Sequence, residues 1–200
     1  MGQIEEIFLN SSVLYKKGDN LLRPDDAVDK IYFLKKGNVR QYAITAKGEE
    51  VVIHIFHPGS FFPIMLVLAE SANRFYFETM TNVEVKIAPP DKVVNFLKAN
   101  PEVLFTLTQR LSKGLNGIVT RLEETLSNSV KERLASFLGY LSNHFGKDVR
   151  GGRQITLTLS HQDISSWLGV ARETVTRQMK SLQKSKIISY KGRKIIVKSL

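Results

Sequence analysis

The chain has 200 residues and no cysteine. That absence excludes a disulfide scaffold, cysteine-ligated zinc, a protein-bound iron–sulfur cluster and thiol catalysis together. It fits a reducing compartment, and a cytoplasmic location is expected. Long apolar runs are missing as well. The longest, Phe61 to Ala69, falls far short of the ~20 residues a membrane span needs, so no membrane partner is expected. The opening residues Met1-Gly2-Gln3-Ile4-Glu5-Glu6 carry acids where a secretory signal carries bases. Glu6 also stands where a myristoylation signal at Gly2 would need Ser or Thr.

Acidic residues are scarce in one part of the chain only. Residues 1–127 hold 15 Lys and Arg against 15 Asp and Glu. Residues 128–200 hold 14 against 4, so the entire net charge of +10 lies there. A segregated basic block points to a polyanion partner, the alternative being a solvated surface kept for solubility. Apolar residues make up 42% of the chain, enough for a core.

The first ninety residues predict a sheet domain. Gly18, Gly37, Gly48 and Gly59 punctuate β-branched and aromatic stretches at Ile31 to Leu34, Val39 to Ile44 and Val51 to Phe56. Further strands are expected near Arg74 to Met80 and Val83 to Ala88. Such spacing fits an antiparallel sandwich or barrel. Pro89-Pro90 closes it, since neither residue can donate to a ladder. His54 and His57 resemble part of a cupin-like metal site. Positions three apart point to opposite faces of a strand, so no metal site is expected.

From Asp91 the period changes. A short helix over Val93 to Leu97 leads to Asn100, a candidate N-cap, and Pro101 at a helix start. Leu104, Leu107, Leu111, Leu115, Ile118, Leu122 and Leu126 then recur at helical spacing over about six turns. Two coverings fit this stripe: a second copy of the chain, which we favour, or the sheet domain of the same chain. Gly114 and Gly117 weaken the helix but permit close backbone approach. Asn128-Ser129 offers a new N-cap. The following helix, Val130 to His144, carries Leu134, Phe137, Leu138 and Leu141 on one face, and Gly146 to Gly152 reads as a polar loop.

The last forty-five residues carry the most specific pattern. Gln154 to Leu159 alternates as a strand. Ser160 and Asp163 form a capping box, with Leu159 and Ile164 placed as its hydrophobic staple. A helix to Leu168 stops at Gly169, and a second runs from Ala171 to Lys184. Helix, short glycine turn, helix is the helix-turn-helix pattern. On the second helix Arg172, Glu173, Thr176, Arg177 and Lys180 share an arc of about 140°. Ala171, Val175 and Leu182 lie opposite, to pack on Ile164 and Leu168. Arginine fits guanine O6 and N7, and glutamate accepts from cytosine N4. An acid among bases makes sense when it reads a base rather than a phosphate. Ile187 to Tyr190 and Lys194 to Val197 flank Lys191-Gly192-Arg193 as a basic-tipped hairpin, a wing able to neutralise phosphates.

These motifs resemble the CRP/FNR family of transcription regulators over nearly the whole length. The resemblance rests on Arg172-Glu173-Thr174-Val175-Thr176-Arg177 within the segment from Leu159 to Val175, together with Ile187-Ile188-Ser189 and Gly192. It implies an α+β fold: an antiparallel β-roll (double-stranded β-helix) sensor over residues 1–100, a dimerisation helix over 101–127, and a winged helix-turn-helix over 128–200. Arg172, Glu173, Thr176 and Arg177 are then expected to read bases in inverted TGTGA-like half-sites. Ser160, Gln162, Lys180, Lys191 and Arg193 are expected on phosphates. Double-stranded DNA and a second copy of the chain are the implied partners, with RNA polymerase as a further candidate.

The sensor half departs from the cyclic-AMP-binding members. Pro63-Ile64-Met65 stands where they carry Gly-Glu-Leu, and Arg74-Phe75 where they carry Arg-Ser. Ile118 and Val119 stand near the polar helix residues that meet the base. Removing one buried polar partner costs ~1–3 kcal/mol, so neither cyclic AMP nor another cofactor is expected here. Three alternatives remain: an apolar small-molecule effector lined by Phe61, Phe62, Ile64, Met65 and Phe75, a small anion at Arg74, or no effector. Two other functional classes stay open. One is a cupin-like enzyme with a basic tail. The other is a ligand-binding module that docks on an acidic partner without reading DNA sequence.

Overall fold

The computed structural model of the chain describes Ile7, Phe8 and residues 12–198. It forms two compact units that divide at Gly114 and Leu115, inside the long helix.

The first unit carries strands β1 (Val13–Tyr15), β2 (Asn20–Leu22), β3 (Ile31–Lys36), β4 (Val39–Ile44), β5 (Glu50–Phe56), β6 (Phe61–Phe62), β7 (Tyr76–Thr79) and β8 (Val83–Ala88). They pair antiparallel in two four-stranded sheets, ordered β1-β8-β3-β6 and β2-β7-β4-β5. The antiparallel pairing is what the turn spacing predicts, and the two-sheet arrangement is the β-roll the family resemblance implies. Side-chain alternation then builds two cores. Tyr32, Leu34, Phe62 and Phe77 join one cluster with Leu21, Leu22 and Val39. Ile31, Phe33 and Phe61 join a second with Phe8, Ile64, Val93, Leu97 and Leu107. Both faces of β3 are therefore buried, which explains its unbroken apolar run.

Among the described residues three helices accompany the sheets: α1 (Ile64–Leu68), α2 (Pro90–Ala99) and α3 (Pro101–Ser127). Pro90 occupies the first turn of α2, where its missing N–H costs nothing. Asn100 corrects one expectation. Its side chain does not cap α3 but donates backwards, to Phe96 O at 2.8 Å, closing the end of α2. Only its backbone carbonyl serves α3, accepting from Val103 and Leu104.

Helix α3 has 27 residues and is therefore ~40 Å long. Its apolar stripe is divided. Leu107 is 5% exposed, and Val103 and Leu111 pack partly buried against the same core. Leu107 is thus corrected from a dimer contact to a core residue of its own chain, with Leu111 beside it. Past Gly114 the stripe is bare: Leu115, Ile118, Val119 and Leu122 are 47–63% exposed and Leu126 is 81% exposed. Leu104, at 37%, is only partly covered. A Cβ added at Gly114 or Gly117 would meet nothing within 4 Å.

The second unit continues from α3 with α4 (Val130–Phe145), β9 (Gly146–Val149), β10 (Gly152–Ile155), α5 (His161–Leu168), α6 (Arg172–Lys184), β11 (Ile188–Lys191) and β12 (Lys194–Val197). The strands form one antiparallel sheet ordered β11-β12-β10-β9. Ser129 caps α4 in a capping box with Glu132. Leu134, Phe137, Leu138 and Leu141 are buried as expected, together with Ile155, Ile164, Leu168 and Val175.

Two local expectations are corrected. The stretch read as a polar loop, residues 146–152, contains β9 and the start of β10. The alternation over 154–159 is strand only as far as Ile155. Beyond it, Thr156 N and Oγ1 both donate to Phe145 O, at 2.8 and 2.7 Å. Lys194 Nζ takes Thr156 O and, at 2.7 Å, Thr158 Oγ1. With these groups partnered elsewhere, the sheet pairing ends while the period-2 sequence pattern runs on.

Candidate nucleic-acid interface

The helix-turn-helix is assembled from local signals. Ser160 Oγ accepts from Asp163 N at 3.1 Å, and the Asp163 carboxylate accepts from both Ser160 N and Ser160 Oγ at 2.7 Å. Helix α5 ends at Gly169, whose φ of 64° and ψ of 43° are left-handed. Glycine adopts that conformation without the Cβ penalty other residues carry. Gly169 N and Val170 N both donate to Ser165 O. Three residues separate the helices, and Ala171, in extended conformation, begins α6.

Helix α6 is anchored from behind by Val175, Met179 and Leu182, all at most 1% exposed. Ala171 is corrected here: as the extended N-cap residue it is exposed and contributes nothing to the packing. Met179 takes its place, and its position four residues after Val175 is the spacing that signals it. On the front, Arg172, Glu173, Arg177 and Lys180 are exposed. None of them joins an ion pair among the described residues. The expected reading face thus stands clear, with its charged groups uncommitted. A side chain of this kind can enter a groove without first breaking an internal bond.

Thr176 differs. It is half-buried, and its hydroxyl lies 3.0 Å from Arg172 O and 2.8 Å from His161 Nδ1. The sequence reading missed His161; no spacing rule signals a contact between two helices fifteen residues apart.

The expected phosphate contacts also divide. Gln162 is exposed at the start of α5. The Ser160 hydroxyl, also expected on a phosphate, donates its one proton to Asp163. The wing forms as a two-residue hairpin in which Lys191 pairs with Lys194. Gly192, with φ of 59°, takes the first turn position, the one that requires glycine in a type II′ turn. Lys191 and Arg193 are exposed at its tip, whereas Lys194 is held inward by Thr156 and Thr158.

A cationic–aromatic joint secures the helix-turn-helix to α3 and α4. Trp167 of α5 stacks on Phe137 and Tyr140, with centroids 4.6 and 5.6 Å away. The Arg121 guanidinium lies 4.8 Å over the same indole. Burial pulls the Arg121 pKa down, partly opposed by Tyr140 and reinforced by the Arg133 charge. Burial likewise raises the Tyr140 pKa. Arg133 donates to Leu168 O at the end of α5.

In the sensor unit the six residues expected to meet an effector, Arg74 and the apolar five, do not form one cluster. Phe61 and Ile64 belong to the core around Phe8 and Leu107, while Phe75 packs on the inter-sheet core. Met65 is 61% exposed. Arg74 is exposed, its guanidinium 5.1 Å from the Phe75 ring. The expected apolar lining is corrected to core packing, because Phe61 and Phe62 point to opposite faces of β6.

A polar cluster that sequence reasoning missed lies on β4, β5 and β7. Arg40 bonds Glu50 at 2.9 Å and Glu78 at 3.0 Å, and it lies 4.4 Å over the Tyr42 ring. Tyr42 stacks on Tyr76 at 4.9 Å. Burial, with the Glu78 and Glu50 charges, pushes the Tyr42 hydroxyl up to about 12. Cross-strand register is the signal that brings these residues together, since Arg40 faces Glu78 and Tyr42 faces Tyr76. His54 packs edge-on against Phe56, and His57 Nδ1 meets Pro58 O at 2.9 Å. Among the described residues no group of three or more His, Asp or Glu could hold a metal ion. Nor is any described helix long and apolar enough to cross a membrane.

Comparison with known proteins matches two stretches of the chain to families. Residues 12–100 match the cyclic nucleotide-binding domain family, and residues 132–200 match the Crp-like helix-turn-helix domain family. The Global nitrogen regulator of Nostoc sp. is 32% identical over 185 residues, covering 92% of this chain and 83% of the relative. The Fumarate and nitrate reduction regulatory protein of Vibrio cholerae is 25% identical over 198 residues, covering 98% and 78%. Among solved structures, a CRP/FNR-family transcriptional regulator from Thermus thermophilus is 27% identical, with a TM-score of 0.76 over 95% of this chain and 94% of that one. The c-di-GMP-responsive global regulator of Xanthomonas campestris shares the fold, at 22% identity, with a TM-score of 0.83 over 100% of both chains. These relatives are regulators rather than enzymes, and with motif, fold and likeness agreeing along its length, the chain belongs to the CRP/FNR family of DNA-binding transcription regulators.

Proposed function

We propose that the protein acts in the cytoplasm as a homodimer that reads inverted TGTGA-like half-sites through α6. The observation that carries this reading is the clear front of α6. Arg172, Glu173 and Arg177 stand exposed and outside every described ion pair, while Val175, Met179 and Leu182 fix the helix from behind. Helix recognition of the major groove needs both features. Gln162, Lys180, Lys191 and Arg193 supply exposed groups for the phosphates on either side. The bare stripe from Leu115 to Leu126 supports pairing with a second copy, because two such faces cover each other in one step. RNA polymerase is then the partner through which DNA binding alters transcription.

Cyclic AMP does not fit the sensor. Pro63-Ile64-Met65 offers no carboxylate to a ribose, and Ile64 is itself part of the core. Arg74 alone retains the chemistry of an anion contact, so a small anion or no effector is favoured over an apolar ligand. The test is fluorescence anisotropy without added ligand. It compares a duplex carrying two inverted TGTGA half-sites with a scrambled duplex, across a salt series. A preference of about 10³-fold or more at physiological salt is expected. Equal, steeply salt-dependent binding to both duplexes contradicts sequence reading and favours docking of the basic unit on an acidic partner.

A further inference from the structure

Thr176 sits on the reading face of α6, but its hydroxyl is already engaged twice. It is 3.0 Å from Arg172 O and 2.8 Å from His161 Nδ1. A threonine hydroxyl has one proton and two lone pairs. Two neighbours can take that proton: the Arg172 carbonyl, which only accepts, and His161 Nδ1 when that nitrogen carries no hydrogen. When Nδ1 carries the hydrogen, the ring donates into one of the two lone pairs and the hydroxyl proton goes to Arg172 O. In either tautomer the hydroxyl proton is taken within the protein, and Thr176 presents its γ-methyl and at least one lone pair, with no donor left.

This occupancy has a consequence for base reading. Guanine N7 and O6, adenine N7 and thymine O4 are acceptors in the major groove and need a donor opposite them. With its proton committed, Thr176 cannot serve any of them. It can meet the thymine methyl, or accept from the amino group of cytosine or adenine. His161 therefore edits what one position of α6 can recognise, and it does so from α5, the helix that does not enter the groove. A free hydroxyl would rotate and suit all four base pairs more evenly.

We propose that His161 is a specificity-determining positioning residue that fixes the Thr176 hydroxyl and thereby narrows the base preference at one position of each half-site. The inference rests on the reading of α6 given above. It adds a residue that touches no base and acts through one that does. A phosphate contact from the same ring predicts a different result, because phosphates carry no sequence information.

The experiment measures binding of the full-length protein to a set of duplexes containing every single base-pair change in the half-site, at several salt concentrations. The variants are His161→Ala, His161→Asn, His161→Gln, Thr176→Val and the pair His161→Ala with Thr176→Val. In His161→Ala the preference at one position is expected to flatten about three- to tenfold, the range of one hydrogen bond. The other positions and the salt slope stay unchanged. Asparagine places a side-chain N–H near the Nδ1 position and restores the preference, whereas glutamine, which reaches towards Nε2, does not. In the Thr176→Val background, His161→Ala has no further effect on preference.

A loss spread equally over all sequences, with a salt slope shallower by about one, overturns the proposal in favour of a phosphate contact. An unchanged preference overturns it as well. If the unmodified protein discriminates no half-site at all, the reading of α6 itself falls, and that is seen before any variant is compared. Should His161→Ala melt early by circular dichroism, the asparagine, glutamine and valine arms still decide.

Discussion

The long helix makes a prediction that separates its two halves. Leu122 is 59% exposed within the chain, on the same face as Leu115, Ile118 and Leu126. Complete burial of a leucine side chain contributes ~1.5–3 kcal/mol. Covering the exposed part of Leu122 is then worth ~1–2 kcal/mol per chain by the same scale. A two-fold interface buries the residue from both copies, which doubles the figure to ~2–4 kcal/mol. Leu122→Glu removes that contribution and also brings two carboxylates together. The dimer dissociation constant should therefore rise by at least about 30- to 1,000-fold. Sedimentation equilibrium across a concentration series measures it. Leu107→Ala, about four turns of helix away, is the control. Leu107 is 5% exposed in the core of its own chain, so its truncation should cost ~2–5 kcal/mol of folding stability and leave the dimer intact. If Leu122→Glu leaves the dissociation constant within about threefold of the unmodified protein, a range worth under 1 kcal/mol, the bare stripe is not the dimer face. A Leu107→Ala protein that becomes monomeric while remaining folded refutes the division of the helix just as directly.

Other expectations concern the reading helix and its supports. Arg172→Ala should cost ~1–3 kcal/mol and relax specificity at one base pair, measured by competition between single-change duplexes. An equal loss on every sequence argues against base reading. Arg121→Ala removes the cation over Trp167, a contact of ~0.5–2 kcal/mol. Because Trp167 is the chain's one tryptophan, its emission should shift to longer wavelength, and an unchanged spectrum contradicts the joint. The Ser129 hydroxyl, followed by its backbone N–H, holds the Glu132 carboxyl below its ordinary value. A group lowered in this way stabilises the start of α4 above its unfolded pKa and loses that effect as pH falls through the lowered one. Ser129→Ala should move the Glu132 titration midpoint, followed by carboxyl NMR, back upward; a midpoint that stays put rejects the capping box as its cause.

The parts of this protein that were legible in its sequence are those fixed by neighbours in the chain. Ser160 and Asp163, Gly169, and the spacing of Val175 and Leu182 each impose their geometry within a few residues, so the helix-turn-helix and the wing followed directly. The strands of the roll were legible because glycine turns and β-branched runs are local too. What depended on distant partners was not. Periodicity shows that α3 has an apolar face but not what covers it, and only the folded chain divides that face between Leu107 and Leu122. Phe61 and Phe62 look like one aromatic patch, yet consecutive strand residues enter separate cores. The alternation of 154–159 satisfies a strand pattern, but Thr156 is drawn to Phe145 and Lys194 instead. His161 and Arg40 act through partners on other elements, which no spacing within their own segment marks.

In the proposed dimer, two copies of α6 related by a two-fold axis read two inverted half-sites at once. Varying the distance between the half-sites tests it most directly. Anisotropy titrations would use duplexes whose TGTGA-like elements are moved apart in single base-pair steps, and in direct as well as inverted orientation. A two-fold dimer predicts tight binding only for inverted elements, with a sharp optimum near one helical turn, about 10–10.5 base pairs between centres. Affinity that is indifferent to spacing and orientation contradicts the claim, since it would mean that each chain engages DNA alone.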